Sequence, residues 1–335
     1  MNLAADRAKV AESSIFPEPP CAAWLTPTER LKREITQLMR DFSVEMTPAE
    51  VAKLTTVPPQ LPAGSRVYLP WVPGNRFEQT LQAAVRLRQH GMTPVPHLAA
   101  RVIPDAATLD AMLGALRVEA GVDQVLLVAG SRPVPAGNFD NSLQVLESGL
   151  LQRHGFAELA LAAHPEGSPD ISAGALAEAL QRKNAFALAH ASDFKTRLVT
   201  QFCFDANTTV VWERRARAEG NCLPVHVGLA GLATLATLLK YGRTCGVGAS
   251  MNLLRAQASG QGLRQSLRLL RMATHLEPGA IVVAAAKARL NDPNCRFERF
   301  HFFPFGSLAA TVAWAAAVAR GDFTLEENDR GLTVA

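Results

Sequence analysis

The chain has 335 residues, 48% of them hydrophobic and 19% charged. That is enough for one large domain with a sizeable core, or two small ones, and it excludes a disordered polyelectrolyte. The net charge of +4, from 34 basic and 30 acidic residues, is too small to argue for nucleic acid and suits small anionic ligands. Five cysteines, Cys21, Cys203, Cys222, Cys245 and Cys295, are odd in number. No two stand at metal-ligand spacing, so they read as reduced thiols and no metal is expected. No apolar run reaches the roughly 20 residues of a membrane helix. The first residues carry Asp6, Arg7, Lys9 and Glu12 with no apolar signal core. A cytoplasmic protein without membrane contact is the expectation.

Residues 1–41 read as an extension with one helix. The stretch up to about residue 26 is rich in Ala, Pro and Ser. Thr26-Pro27-Thr28-Glu29 then opens a helix with Leu31, Ile35 and Leu38 on one face. An alternation of strands and helices follows. Strands are predicted over 42–46, 66–70, 93–98, 124–128, 158–163, 197–204, 223–227 and 300–305. Asn75 with Glu78 resembles a capping box for a helix carrying Phe77, Leu81, Ala84 and Val85. Pro104-Asp105 starts a helix stopped by Gly121, and helices over 142–154, 172–189, 206–219 and 309–320 follow their strands. A long helical stretch covers 232–290, broken at glycines and at Pro278-Gly279. A polar tail follows Gly321, over 324–335.

Eight strands alternating with helices over 42–323 is the pattern of a single-domain (β/α)8 barrel, an α/β fold. The rival, an open doubly wound sheet, calls for a Gly-x-Gly-x-x-Gly turn after its first strand. Residues 42–49 hold no glycine. Barrel ligands sit at the C-terminal strand ends. Those ends carry Glu45, Pro70-Trp71, His97, Gly130-Ser131, His164-Pro165-Glu166, Gln201, Gly228 and Phe303.

Gln201 stands out. It is a donor and an acceptor within the apolar run Val199-Thr200-Gln201-Phe202-Cys203-Phe204-Asp205. It is either a hydrogen-bonded core amide or a polar group turned to a ligand. Gly130-Ser131 can bring backbone N–H groups close to an anion, but taken alone reads more simply as an ordinary turn. Gly246-Val247-Gly248 looks like a phosphate loop but lacks a following Lys and reads as a helix start. Arg255, Arg264, Arg268 and Arg271 read as a solvated helix face. No HExxH, GxSxG or CxxC pattern occurs, so metal and nucleophilic-serine chemistry have no support.

Several landmarks occur together in one order: Phe42-Ser43-Val44-Glu45 with Pro48, Pro96-His97-Leu98, Ala129-Gly130-Ser131, Ala162-Ala163-His164-Pro165-Glu166, Thr200-Gln201-Phe202-Cys203-Phe204-Asp205 and Phe300-His301-Phe302-Phe303. From about residue 42 to 323 the chain resembles the 5,10-methylenetetrahydrofolate reductase family, flavin-containing (β/α)8 barrels. The Thr-Gln-Phe run is the most specific match.

The resemblance implies FAD across the barrel rim, with NAD(P)H and a folate using one face in turn in a ping-pong hydride transfer. By that carry-over His97, the turn Ala129, Gly130 and Ser131, His164 and Ser168 line the flavin. Lys183 holds its phosphates. Gln201 contacts pterin and nicotinamide, and Glu45 is the general acid. Leu235 falls where the family has a phenylalanine against the substrate. Ser131 and His164 replace a family aspartate and tyrosine. Three readings follow: interconversion of 5,10-methylene- and 5-methyltetrahydrofolate, the same chemistry run oxidatively in demethylation, or a flavin-less folate- or protein-binding relative. Whether helices around 281–286 pack on the barrel or on another subunit stays open.

Overall fold

Parallel strands buried on both faces read as nearly continuous apolar runs, and Gln124-Val125-Leu126-Leu127-Val128 is such a run. In the computed structural model, which describes residues 25–168, 170–233 and 277–334, these runs are the staves of a barrel. The strands are β1 (Ser43–Glu45), β2 (Arg66–Leu69), β3 (Thr93–Ala99), β4 (Gln124–Val128), β5 (Glu158–Ala163), β6 (Lys195–Cys203), β7 (Val225–Ala230) and β8 (Phe297–Phe303). They pair in parallel in chain order, and β8 closes on β1 through Ser43↔His301 and Val44↔Phe302. The fold is a (β/α)8 barrel. Among the described residues no helix is long and apolar enough to cross a membrane.

The helices are α1 (Pro27–Met39), α2 (Pro48–Ala52), α3 (Phe77–Gln89), α4 (Ala106–Ala120), α5 (Ser142–Leu146), α6 (Leu150–Arg153), α7 (Ala173–Ala189), α8 (Ala206–Ala218), α9 (Gly279–Asn291) and α10 (Leu308–Arg320). Their ends follow local chemistry. Thr26 Oγ1 accepts from the Glu29 N–H while Glu29 Oε2 accepts from the Thr26 N–H, the reciprocal cap that opens α1. Thr47 and Glu50 repeat it at α2. The predicted cap at Asn75 is displaced by one residue: the Arg76 N–H donates to Gln79 Oε1 at 2.9 Å, because the bonded side chain stands three residues on. The single helix predicted over 142–154 is two, since Gly149 takes a left-handed φ of 76° between them.

Strand alternation divides the core in two. Val44, Val67, Leu69, Leu127 and Leu229 turn outward and pack under the helices. Tyr68, Val95, Leu126, Ala160 and Val199 fill the barrel interior. α1 belongs to the outer layer, with Leu31, Ile35, Leu38 and Met39 all at most 3% exposed. α9 buries Ile281, Val282, Val283, Ala285 and Ala286 within the chain, which resolves the open choice over those residues. The predicted polar tail instead forms an antiparallel hairpin of β9 (Phe323–Leu325) and β10 (Leu332–Val334). Phe323 and Leu332 are buried, and a Cβ at Gly279 would stand 2.8 Å from the Leu332 carbonyl oxygen. Alternating apolar residues in 323–334 supply a face to bury, which the polar loop between the two strands masks in the sequence.

Between β6 and β7 the register slips. Val199 pairs with His226, but Phe202 pairs with Gly228. β6 thus carries one extra residue, a bulge at Thr200-Gln201. Thr200 Oγ1 accepts from the Gly228 N–H and donates to the Gln201 carbonyl, both at 2.8 Å. Position 228 must be glycine here: a Cβ would meet the Thr200 carbonyl oxygen at 2.4 Å.

Candidate active site

The C-terminal strand ends converge on a mouth built from Glu45 of β1, His97 of β3, and His301 and Phe303 of β8, with Gln201 near the C-terminal end of β6. Glu45 is 14% exposed at its side chain, and its Oε2 lies 3.9 Å from His301 Nε2. His301 shares a 2.9 Å hydrogen bond from its other ring nitrogen, Nδ1, with Ser43 Oγ. Three enclosed polar atoms have no hydrogen-bond partner: Glu45 Oε2, His97 Nε2 and His301 Nε2. Buried polar atoms are nearly always paired, so three orphans at one mouth mark a place where a ligand or water belongs.

Burial raises the Glu45 pKa to about 7, against the opposing pull of His97. His97 is lowered to about 4 by burial. Burial and then the Arg197 charge lower His301 to about 3. At neutral pH the mouth therefore holds a carboxyl near its midpoint and two uncharged imidazoles. Arg197 lies deeper, donating to Tyr68 Oη at 3.2 Å and paired with Glu158 at 2.6 Å. Tyr68 stands 4.4 Å, centroid to centroid, from the His301 ring. The rim beside the carboxyl is aromatic. Phe303 packs edge-on to His301 at 4.7 Å and to Phe202 at 5.3 Å. Phe305, with a φ of +48°, stacks near-parallel to Phe303. A bulky residue in the left-handed region is strained, and such strain concentrates at working sites.

Gln201 is hydrogen-bonded locally, as the first of its two readings expects. Its Oε1 accepts from the Phe202 N–H at 3.0 Å, and the side chain is partly exposed. The amide is held by its own backbone, which leaves Nε2 as the group it offers.

Next to the mouth, a cavity of about 550 Å³ opens between α7 and α8, with Ala129, His164 and Lys183 in its lining together with Arg101 and Trp212. Its size falls within the usual range of small-molecule sites, about 300–1,000 Å³. Lys183 reaches in from α7, and its Nζ donates to the Ala162 carbonyl at 2.6 Å. Burial lowers its pKa to about 8, and burial followed by the Lys183 charge lowers His164 to about 4. Gly130, with a φ of +92°, and exposed Ser131 follow β4 beside this cavity, and Ser168 bridges Ile171 within the loop after β5. Leu235, the Gly246-Val247-Gly248 turn and Arg255 to Arg271 lie outside the described residues.

The structure thus brings Glu45 and His97 to one mouth, and Ala129, His164 and Lys183 to one cavity, while Gln201 sits on the β6 bulge. Sequence reasoning left Ser43, His301 and Phe305 without a role. Ser43 precedes Glu45 by two and so shares its inward face, a signal that was legible. The Ser43–His301 pairing joins the first and last strands, 258 residues apart, and only barrel closure makes it. Among the described residues no group of His, Cys, Asp and Glu is arranged to hold a metal ion. No known family model matches the chain.

Proposed function

We propose that this protein is a flavin-dependent oxidoreductase acting on a folate, interconverting 5,10-methylene- and 5-methyltetrahydrofolate with NAD(P)H as the partner reductant. The observation that carries the reading is the Glu45 carboxyl, enclosed at the barrel mouth with a pKa near 7 and flanked by unpartnered imidazole nitrogens. Reduction of the methylene bridge needs a proton on the departing ring nitrogen, and a carboxyl poised near neutral pH supplies one.

The residues fit FAD. Support comes from the cavity beside β5, whose lining includes Lys183 and His164, a cation and a flat ring that suit an anionic, ring-bearing cofactor. His97, Ala129, Gly130, Ser131, His164, Ser168 and Lys183 would hold it, and when bound it supplies reversible hydride acceptance. The chain's own residues do the rest. Gln201 Nε2 donates to an acceptor on the pterin edge, because its Oε1 is engaged by Phe202. Phe303 and Phe305 offer flat apolar faces to a ring system. When Ser43 donates to His301 Nδ1, the imidazole carries its proton on Nε2, facing Glu45. At 3.9 Å the two groups do not hydrogen-bond directly, so both stay available to a ligand or water between them.

The test separates the two half-reactions. The purified protein, reconstituted with FAD, is expected to show a flavin absorbance band. Glu45→Gln should still bleach with NAD(P)H at a near-normal rate. It should fail to reduce methylenetetrahydrofolate by roughly 10²–10⁴-fold, the range for a lost general acid. Equal slowing of both half-reactions, or a protein that takes up no flavin, would remove the assignment.

A further inference from the structure

A second cavity, of about 720 Å³, opens at the opposite end of the barrel. It lies among the N-terminal strand ends, away from Glu45, His97 and Gln201. The end of α1 contributes Arg40 and Asp41, and the segment entering β2 contributes Ser65 and Arg66. Arg299 of β8 and Arg320 of α10 complete the polar wall. Four guanidinium groups thus meet one carboxylate.

Two acceptors in that lining, Asp41 and Gln124, are already engaged. The Asp41 carboxylate, set by a left-handed φ of 53° at the turn into β1, takes Arg299 NH1 at 2.5 Å. Gln124 Oε1 accepts from Arg66 Nε at 3.1 Å and from Arg197 at 3.0 Å. The donors are not exhausted. Each guanidinium has five N–H groups. Arg299 uses NH1 on Asp41, Arg320 uses Nε on Asp322 and Arg66 uses NH2 on Glu158 at 3.5 Å, while Arg40 has no ion-pair partner among the described residues. Pro59, Pro62, Ala316 and Ala319 add an apolar flank for a carbon skeleton.

We propose that this cavity binds a small anion bearing two or more negative charges on phosphate or carboxylate groups. Planar forks around a concave surface match the paired oxygens of such groups. Four guanidinium groups in a lining with one carboxylate disfavour cations. The concave shape and the small net charge of the chain disfavour a nucleic-acid strand. Since the two cavities open at opposite ends, an anion here does not compete with ligands at the mouth.

Isothermal titration of the full chain with sodium pyrophosphate and with citrate, in about 0.15 M salt to screen diffuse attraction, reads the site directly. Acetate is the single-charge control. Saturable binding of pyrophosphate or citrate with one site per chain, and none of acetate, is expected. The stronger of the two identifies the phosphate or the polycarboxylate class. Arg40→Gln combined with Arg320→Gln, both at exposed positions, should weaken binding about tenfold. Asp41→Asn should tighten it about two- to fivefold by freeing Arg299, an effect that damage to the fold would not produce. Absence of saturable binding, or affinity indifferent to both variants, overturns the proposal. The titration is repeated with Glu45→Gln and with flavin-free protein. Unchanged affinity there shows that this site stands apart from the function proposed for the mouth, whichever way that reading is decided.

Discussion

Gln201 shows how one side-chain amide is held by its own backbone. Its Oε1 is held by the Phe202 N–H, so the amide cannot flip without leaving that donor unpaired. Replacing it with alanine removes a backbone cap and, on the proposed function, a ligand donor. Gln201→Ala is expected to weaken folate binding about ten- to a hundredfold while FAD stays bound, and to lower stability by about 1 kcal/mol. Gln201→Glu keeps the acceptor for Phe202 and replaces the Nε2 donor. It should keep stability near wild type at neutral pH and still lose folate affinity. Equilibrium binding alongside urea titration checks both variants. If folate affinity survives in each and only stability falls, Gln201 is a core amide and nothing more.

The bulge in β6 is the element on which the mouth depends. One extra residue reverses the alternation, so Phe202 takes the inward place opposite Gly228 and its ring meets Phe303 and Phe305. Thr200 locks the bulge from below, and Gly228 leaves room for it. Gly228→Ala puts a methyl 2.4 Å from a backbone carbonyl, which cannot move aside as a flexible side chain would. A loss of about 1–3 kcal/mol or more is expected from this overpacking. Thr200→Val, of similar shape, strands the Gly228 N–H and should cost about 1–3 kcal/mol, whereas Thr200→Ser restores the hydroxyl and most of the stability. Chemical denaturation of the three variants decides. A Thr200→Val protein as stable as wild type would show that the bulge needs no lock.

For the whole molecule, the buried titrating groups dictate how stability follows pH. His97, His164, His226 and His301 are all lowered, to between about 3 and about 4, chiefly by burial. Below the unfolded value near 6.5 the unfolded chain takes up protons that the folded chain refuses, so stability falls as pH drops from 6.5 toward 4. Glu45 acts in the opposite sense. With its folded pKa raised to about 7, it favours the fold at low pH and loses that contribution as pH rises from about 4.3 to 7. Four histidines outweigh one carboxyl. Stability should therefore climb between pH 4 and 6.5, by up to about 4 kcal/mol per pH unit if all the groups titrate together. Urea unfolding at half-unit pH steps measures it. Glu45→Gln should steepen the climb, and a flat profile would show that these imidazoles are not desolvated.

The sequence by itself determined the barrel. Eight apolar runs with helices between them, and caps such as Thr26 with Glu29, are local signals that each element carries in its own residues. It also pointed to Glu45, His97 and Gln201, because a polar group at the C-terminal end of a buried strand is conspicuous without coordinates. Tertiary structure alone decided what those groups meet. The orphaned Glu45 Oε2, its approach to His301 and the Ser43–His301 hydrogen bond exist only once β8 closes on β1. The orientation of Gln201 depends on a register slip against β7 that no residue of β6 announces. The arginine-lined cavity gathers Arg40, Arg66, Arg299 and Arg320 from four distant parts of the chain. Desolvation, charge proximity and register are properties of assembled neighbours, and they enter only when the chain has brought those neighbours together.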